Sequence, residues 1–190
     1  LDFSQPQLNV LTRALAPAYL RIGGSEADKT FYDMSSDAPL AETIPAGYES
    51  TMTRPQWDAV NAFAQRNGLE LVFTLNAGPS SRDENGRWQP QNAESLLAYT
   101  AEQGYEVALW ELGNELNIFW FVHGLDQQIP AEQYHEDLQT ARALVADYFP
   151  DAQFAGQGGA FWPLFGEPLN FFFGFTEDYL AQSGDLTDIV

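Results

Sequence analysis

Apolar residues recur in this chain with two alternating periods, one helical and one extended. Between Gln7 and Ala16, Leu8, Leu11 and Leu15 stand at helical spacing. Pro17 closes that stretch ahead of a short strand, Tyr19 to Ile22, and a Gly23-Gly24 turn. Residues 33 to 50 are polar and carry Pro39, Pro45 and Gly47, which predicts a surface loop. Thr53 then caps a helix with Pro55 in its first turn; Trp57, Val60, Ala62, Phe63 and Ala64 supply one apolar face, and Gly68 stops it. Leu69 to Leu75 is nearly continuous in apolar residues, as a parallel strand covered on both faces should be.

The alternation continues to the end. Pro79 to Asn92 is rich in Ser, Arg, Asp, Asn, Gly and Pro and reads as a loop, followed by a helix from about Ala93 to Gln103. A strand-like run, Val107 to Leu109, leads into Trp110-Glu-Leu-Gly-Asn-Glu-Leu-Asn117, so that Glu115 stands where a buried strand ends. Glu111, four residues earlier, shares the face of Glu115 if the strand stays regular. A buried carboxylate needs a partner, and Arg21 on the neighbouring strand is the candidate. Ala131 to Tyr148 is a helix with Leu138, Ala141, Leu144, Val145 and Tyr148 on one face, and Pro150 ends it. Gln153 to Ala155 is the next strand, and an aromatic loop follows with Phe161, Trp162, Phe165 and Phe171 to Phe173. That loop either walls a cleft or packs beneath a lid. Glu177 to Gln182 is a further helix, and a last strand begins near Leu186. Strands alternating with helices predict an α/β fold on a parallel sheet, an architecture that includes the (β/α)8 TIM barrel.

Length qualifies that picture: the chain has 190 residues, whereas a complete (β/α)8 barrel takes about 250. The expectation is therefore a partial barrel over residues 1 to 190, completed by the remaining part of the same enzyme, which can be a second chain. Acidic residues outnumber basic ones 27 to 8, the net charge is −19, and Lys29 is the only lysine. Such a charge disfavours nucleic acid, anionic membrane surfaces and other polyanions as partners. With no cysteine, disulfide and thiolate chemistry are excluded from this stretch. No apolar run approaches the ~18 residues of a membrane span, and Leu1-Asp-Phe-Ser4 is not a signal sequence.

The candidate chemistry sits in Asn114-Glu115. A (β/α)8 barrel presents its catalytic groups at the C-terminal ends of its strands. Glycoside hydrolysis needs a carboxylic acid to protonate the leaving oxygen and hydrogen bonds to the adjacent sugar hydroxyl. A glutamate beside an amide supplies both, although a bare Asn-Glu pair is more often a loop cap. Asp28, just past the Gly-Gly turn, lies at the same rim or caps its turn, and Asn76 closes the strand Leu69 to Leu75. Arg82, Arg87 and Trp88 are candidates to bind a carboxylate and stack on a sugar, against the commoner pairing of a loop arginine with neighbouring acids. His123 and His135 have no ligand pattern around them, so no metal and no cofactor is expected. Neither a phosphate loop nor a Gly-x-Ser-x-Gly nucleophile is present.

Three segments carry a family resemblance: Leu15-Ala-Pro-Ala-Tyr-Leu-Arg-Ile-Gly-Gly-Ser-Glu-Ala-Asp28, Gly68-Leu-Glu-Leu-Val-Phe-Thr-Leu-Asn-Ala77, and Gly104-Tyr-Glu-Val-Ala-Leu-Trp-Glu-Leu-Gly-Asn-Glu-Leu-Asn117. Together they resemble the heparanase-like enzymes of glycoside hydrolase family 79. These are retaining β-glucuronidases on a (β/α)8 barrel with an appended β-sandwich. The resemblance implies that Glu115 is the general acid/base, that Asn114 holds the 2-hydroxyl, and that Asp28 and Asn76 line the subsite of the sugar being cleaved. It places the chain at about strands two to six of the barrel, with the first strand before it and the nucleophile's strand after it. It implies a glucuronide-containing oligosaccharide or polysaccharide as substrate, and a secreted or periplasmic location. Ile118-Phe-Trp-Phe-Val122 is apolar where a sulfate-gripping member would carry lysines, and the short 33–50 loop speaks against an excised linker. The rival readings are a barrel-fold carbohydrate-binding or scaffold protein without catalysis, and a glycosidase of related fold acting on a neutral sugar.

Overall fold

The computed structural model describes residues 3–41, 43–156, 158–160 and 175–189. Helix α1 (Pro6–Arg13) starts with proline in its first turn and stops before the predicted Ala16. It leads to strand β1 (Ala18–Ile22). Strands β2 (Thr30–Asp33) and β3 (Ser50–Thr53) pair parallel in a small sheet of their own. The predicted loop 33–50 joins them, with only its end residues Asp33 and Ser50 in strands. Helix α2 (Arg54–Asn67) follows. At its start the Thr53 amide donates to Gln56 Oε1 at 2.9 Å, and at its end Gly68 adopts φ 69°, the usual left-handed helix stop.

Strand β4 (Leu69–Leu75) has the predicted bounds. Helix α3 (Gln91–Glu102), strand β5 (Leu109–Leu112), a short helix α4 (Phe119–His123), helix α5 (Ala131–Tyr148), strand β6 (Gln153–Phe154) and helix α6 (Phe175–Ser183) complete the order. β1, β4, β5 and β6 lie side by side, all parallel. Beyond β6 the pairing continues, since the Asp188 amide donates to Phe154 O at 2.8 Å and Gly156 donates to Ile189 O at 2.7 Å. Leu186, the predicted start of the last strand, instead ends a 3-10 turn, Gly184–Leu186, and the pairing beyond it is, among the described residues, a single bridge between Ala155 and Ile189. The aromatic loop Phe161 to Phe173 lies outside the described residues.

Register sorts the side chains of this sheet into two faces. Leu71, Phe73, Leu75, Trp110, Leu112 and Phe154 point outward into the main apolar core, with Leu20 and Ile22 packed against it. Trp57 of α2, Leu96 and Leu97 of α3, and Leu138, Ala141 and Val145 of α5 meet them there. Trp57, Phe73 and Trp110 form a row with ring centroids 4.9 and 5.9 Å apart. Each such buried aromatic stabilises the fold by roughly 1.5–3 kcal/mol. The Trp57 indole also donates to Thr100 Oγ1 at 3.0 Å, so its polar edge is not stranded. The opposite face carries Tyr19, Arg21, Thr74 and Glu111. Val72 and Leu109 share that face, so the sheet has an apolar outer wall and an inner wall that turns polar at Arg21, Thr74 and Glu111.

Candidate active site

The candidate side chains gather at the C-terminal ends of β4 and β5, with Asp28 reaching them from the turn after β1. β5 stops at Leu112, and Gly113 (φ 73°) breaks its extension. Glu115 is itself left-handed, at φ 52° and ψ 45°. It is the one described residue other than glycine with positive φ, a conformation that costs an L-residue on the order of 1–2 kcal/mol. The regular alternation that would put Glu111 and Glu115 on one face ends at Gly113. The Glu115 amide donates to Gly158 O at 2.8 Å, and its carbonyl accepts from Ile118 N at 2.9 Å. Its side chain is half-buried at this rim.

Asn114 is buried and held from two directions. Its amide donates to Asp28 Oδ2 at 3.0 Å, and its Oδ1 accepts from Arg21 Nη2 at 3.0 Å. Asp28 is 1% exposed. Its other oxygen accepts from Ala77 N at 2.9 Å, so one carboxyl group ties the end of β4 to the end of β5. Burial pushes the Asp28 carboxyl up to about 7, against the two amide donors and the charges of Arg82 and Arg21, which favour ionisation. Asn76 is buried beside it. Its Nδ2 donates to Thr30 O at 2.9 Å and its Oδ1 accepts from Gly78 N at 2.7 Å, which braces the start of β2 against the loop after β4. The structure brings Asp28, Asn76, Asn114 and Glu115 to one rim; the polar atoms of Asp28 and Asn76 are engaged with main chain.

Arg21 and Glu111 form the predicted ion pair, with Nε 2.7 Å from Oε2. Thr74 Oγ1 donates to the same carboxylate oxygen. The arginine's further bond to Asn114 was not foreseen, although the shared inner face of Arg21, Thr74 and Glu111 could have shown the cluster. Arg82 and Trp88 do not serve as sugar contacts. Arg82 Nη1 meets Asp137 Oδ2 at 2.6 Å in a buried pair. The Trp88 amide donates to Asp137 Oδ1 at 3.1 Å, and its indole donates to Asn76 O at 2.8 Å. The acid on α5 that consumes this loop lies 55 residues from Arg82, beyond any local signal. Arg87 is exposed.

A parallel α/β sheet whose polar face ends in an amide and a carboxylate at the C-terminal rim has the architecture of a (β/α)8-barrel glycoside hydrolase. Solved structures share this fold. The family 51 α-L-arabinofuranosidase AbfB from Bifidobacterium longum superposes on 99% of the chain and 38% of its own, with TM-score 0.61 and 17% identity. The family 51 arabinofuranosidase from Xanthomonas axonopodis pv. citri does so over 97% of the chain and 37% of its own, with TM-score 0.63 and 14% identity. The model of the glycosyl hydrolase family 79 N-terminal domain matches residues 1–161, and the chain belongs to that family. It is 33% identical to heparanase-like protein 3 of Arabidopsis thaliana over 85% of the chain and 32% of that protein. It is 29% identical to heparanase of Mus musculus over 96% of the chain and 40% of that protein. Baicalin-beta-D-glucuronidase of Scutellaria baicalensis is 27% identical over 80% of the chain and 33% of its own length. The chain spans about a third to two fifths of these relatives. No described helix is long and apolar enough to cross a membrane.

Proposed function

We propose that this chain carries the acid/base side of a retaining β-glucuronidase site, with Glu115 as the acid/base and Asn114 on the 2-hydroxyl of the sugar being cleaved. The observation that carries the reading is the Asn114-Glu115 pair at the C-terminal end of β5, held by Asp28 and Gly158. Relatives named heparanase and baicalin-beta-D-glucuronidase support a glucuronide as substrate. Asp28 and Asn76 make the floor of that subsite, and Asp28 fixes the main chain from which Asn114 and Glu115 project.

In this mechanism Glu115 protonates the leaving oxygen while a second carboxylate, about 5–5.5 Å away, attacks the anomeric carbon. Glu115 then takes a proton from the water that releases the sugar. The four parallel strands β1-β4-β5-β6 form the sheet that carries the site, and the reading assigns the nucleophile to another strand of the closed barrel. On this reading the 190-residue chain by itself is inactive.

Glu115→Gln tests the assignment in the protein assembled with the strands that complete its barrel. Turnover of β-glucuronides with poor leaving groups should fall by about 10²–10⁴. The first step on activated aryl β-glucuronides, which need little protonation, should survive far better. Equal wild-type and variant rates on a natural glucuronide would remove Glu115 from the mechanism.

A further inference from the structure

A guanidinium has only donors, and this decides how Asn114 is turned. Arg21 Nη2 lies 3.0 Å from the Asn114 side chain, so the amide atom facing it must be the acceptor, Oδ1. The NH2 group is thereby directed away from Arg21. Arg21 cannot swing to release it, because Nε is held at 2.7 Å by Glu111 Oε2. That oxygen is fixed in turn by Thr74 Oγ1. The two bonds use different nitrogens of one rigid plane, which a lysine ammonium cannot reproduce. The backbone is shaped around this plane. A Cβ at Gly23 would stand 2.2 Å from Thr74 Oγ1 and 3.0 Å from Arg21 Cζ, and one at Gly158 would stand 3.3 Å from Arg21 Nη2. Meanwhile the Asn114 main chain is pinned from the far side by Asp28. A purely structural Arg21–Glu111 pair would not require the second nitrogen to engage Asn114.

We infer that Arg21 is a positioning residue, one that locks Asn114 so that it reads the sugar's 2-hydroxyl as a donor only, through Nδ2–H to the hydroxyl oxygen. The inference rests on the glucuronidase reading above and adds the direction of the hydrogen bond and the residue that sets it. The Arg21–Glu111–Thr74 cluster is its support. Substrate selectivity at the 2-position then depends on a side chain that does not touch the sugar.

Two variants separate this from a structural role. Arg21→Met frees the amide to rotate, and Asn114→Asp keeps an oxygen for Arg21 while removing the donor. In the assembled protein, kcat/KM is compared on an aryl β-glucuronide and on its 2-deoxy counterpart. Each variant should lose on the order of tenfold on the 2-hydroxy substrate and little on the 2-deoxy one. The double variant should lose no more than Asn114→Asp alone. Equal slowing of both substrates by Arg21→Met would reduce the residue to scaffold, and full retention of 2-hydroxy selectivity in Asn114→Asp would reverse the bond direction. Arg21→Lys should rescue folding without rescuing selectivity, which covers a failure of the methionine variant to fold. If no β-glucuronide is turned over by the wild type, the function reading fails, and the orientation is still decided by nitrogen-15 NMR. The Asn114 side-chain NH2 shifts should change in Arg21→Lys, and unchanged shifts would overturn the lock.

Discussion

Asp28 is the residue where burial and hydrogen bonding oppose each other most sharply. Its carboxyl, 3.8 in the unfolded chain and about 7 in the fold, keeps a proton on folding that the unfolded chain releases. Stability contributed by the neutral form is fully present below pH about 4 and is lost as pH rises to about 7. It is level beyond that. The raised value corresponds to about 4 kcal/mol across the window. Asp188 shifts the other way, lowered by the Phe154 amide and Arg142, and works at lower pH. Comparing Asp28→Asn with wild type cancels such common contributions. Urea midpoints measured from pH 4 to 8 should fall with rising pH in wild type more than in the variant, and parallel curves would refute the assignment. At this scale the site was legible where it is local. Asn114-Glu115 and the Arg21–Glu111 pair follow from a motif and a face of a strand. That Asp28 would face two main-chain amides, Ala77 and Asn114, could not be read from residues 49 and 86 positions away.

Among the elements, the loop between β4 and α3 depends most on a single partner. Arg82 and Asp137 have side chains only 8% and 3% exposed, and Asp137 also takes the Trp88 amide and Gln133 Nε2. Removing one partner leaves the other charge buried and unpaired, at a cost of about 3–5 kcal/mol. Arg82→Leu should therefore unfold at markedly lower urea than wild type, and restoring neutrality with Arg82→Leu/Asp137→Leu should recover part of the loss. A single variant within 1 kcal/mol of wild type would contradict this picture. The long elements were legible because their periodicity is strong: β4 and α5 have their predicted bounds. β2 and β3 were not. Thr30-Phe-Tyr-Asp33 and Ser50-Thr-Met-Thr53 are too short to alternate visibly, and parallel pairing across an intervening loop leaves no local turn signature.

For the whole molecule, charge dominates association. A net charge of −19 raises the cost of bringing each sulfate to the rim, most of all at low salt. Phe121 is exposed beside the site and offers apolar surface where a cation would be needed. On the proposed glucuronidase reading, the assembled protein should cleave unsulfated or sparsely sulfated β-glucuronides faster than heparin-like chains, with the gap narrowing as salt rises. kcat/KM for both substrates across ionic strength measures it, and a preference for the highly sulfated chain at low salt would sink the argument. Val10, Leu11, Leu15 and Tyr19 are exposed on α1, in the turn after it and on β1. β1 is an edge strand of the described sheet, and net charge alone gave no hint of this apolar surface.

The left-handed backbone of Glu115 sets chemistry and durability in competition. Glycine pays no steric penalty in that conformation, so laboratory evolution scored only on heat resistance would be drawn toward Glu115→Gly. The hardiest descendants of such a campaign would have discarded the proposed acid, and any stabilisation screen of this protein therefore has to score turnover in the same round.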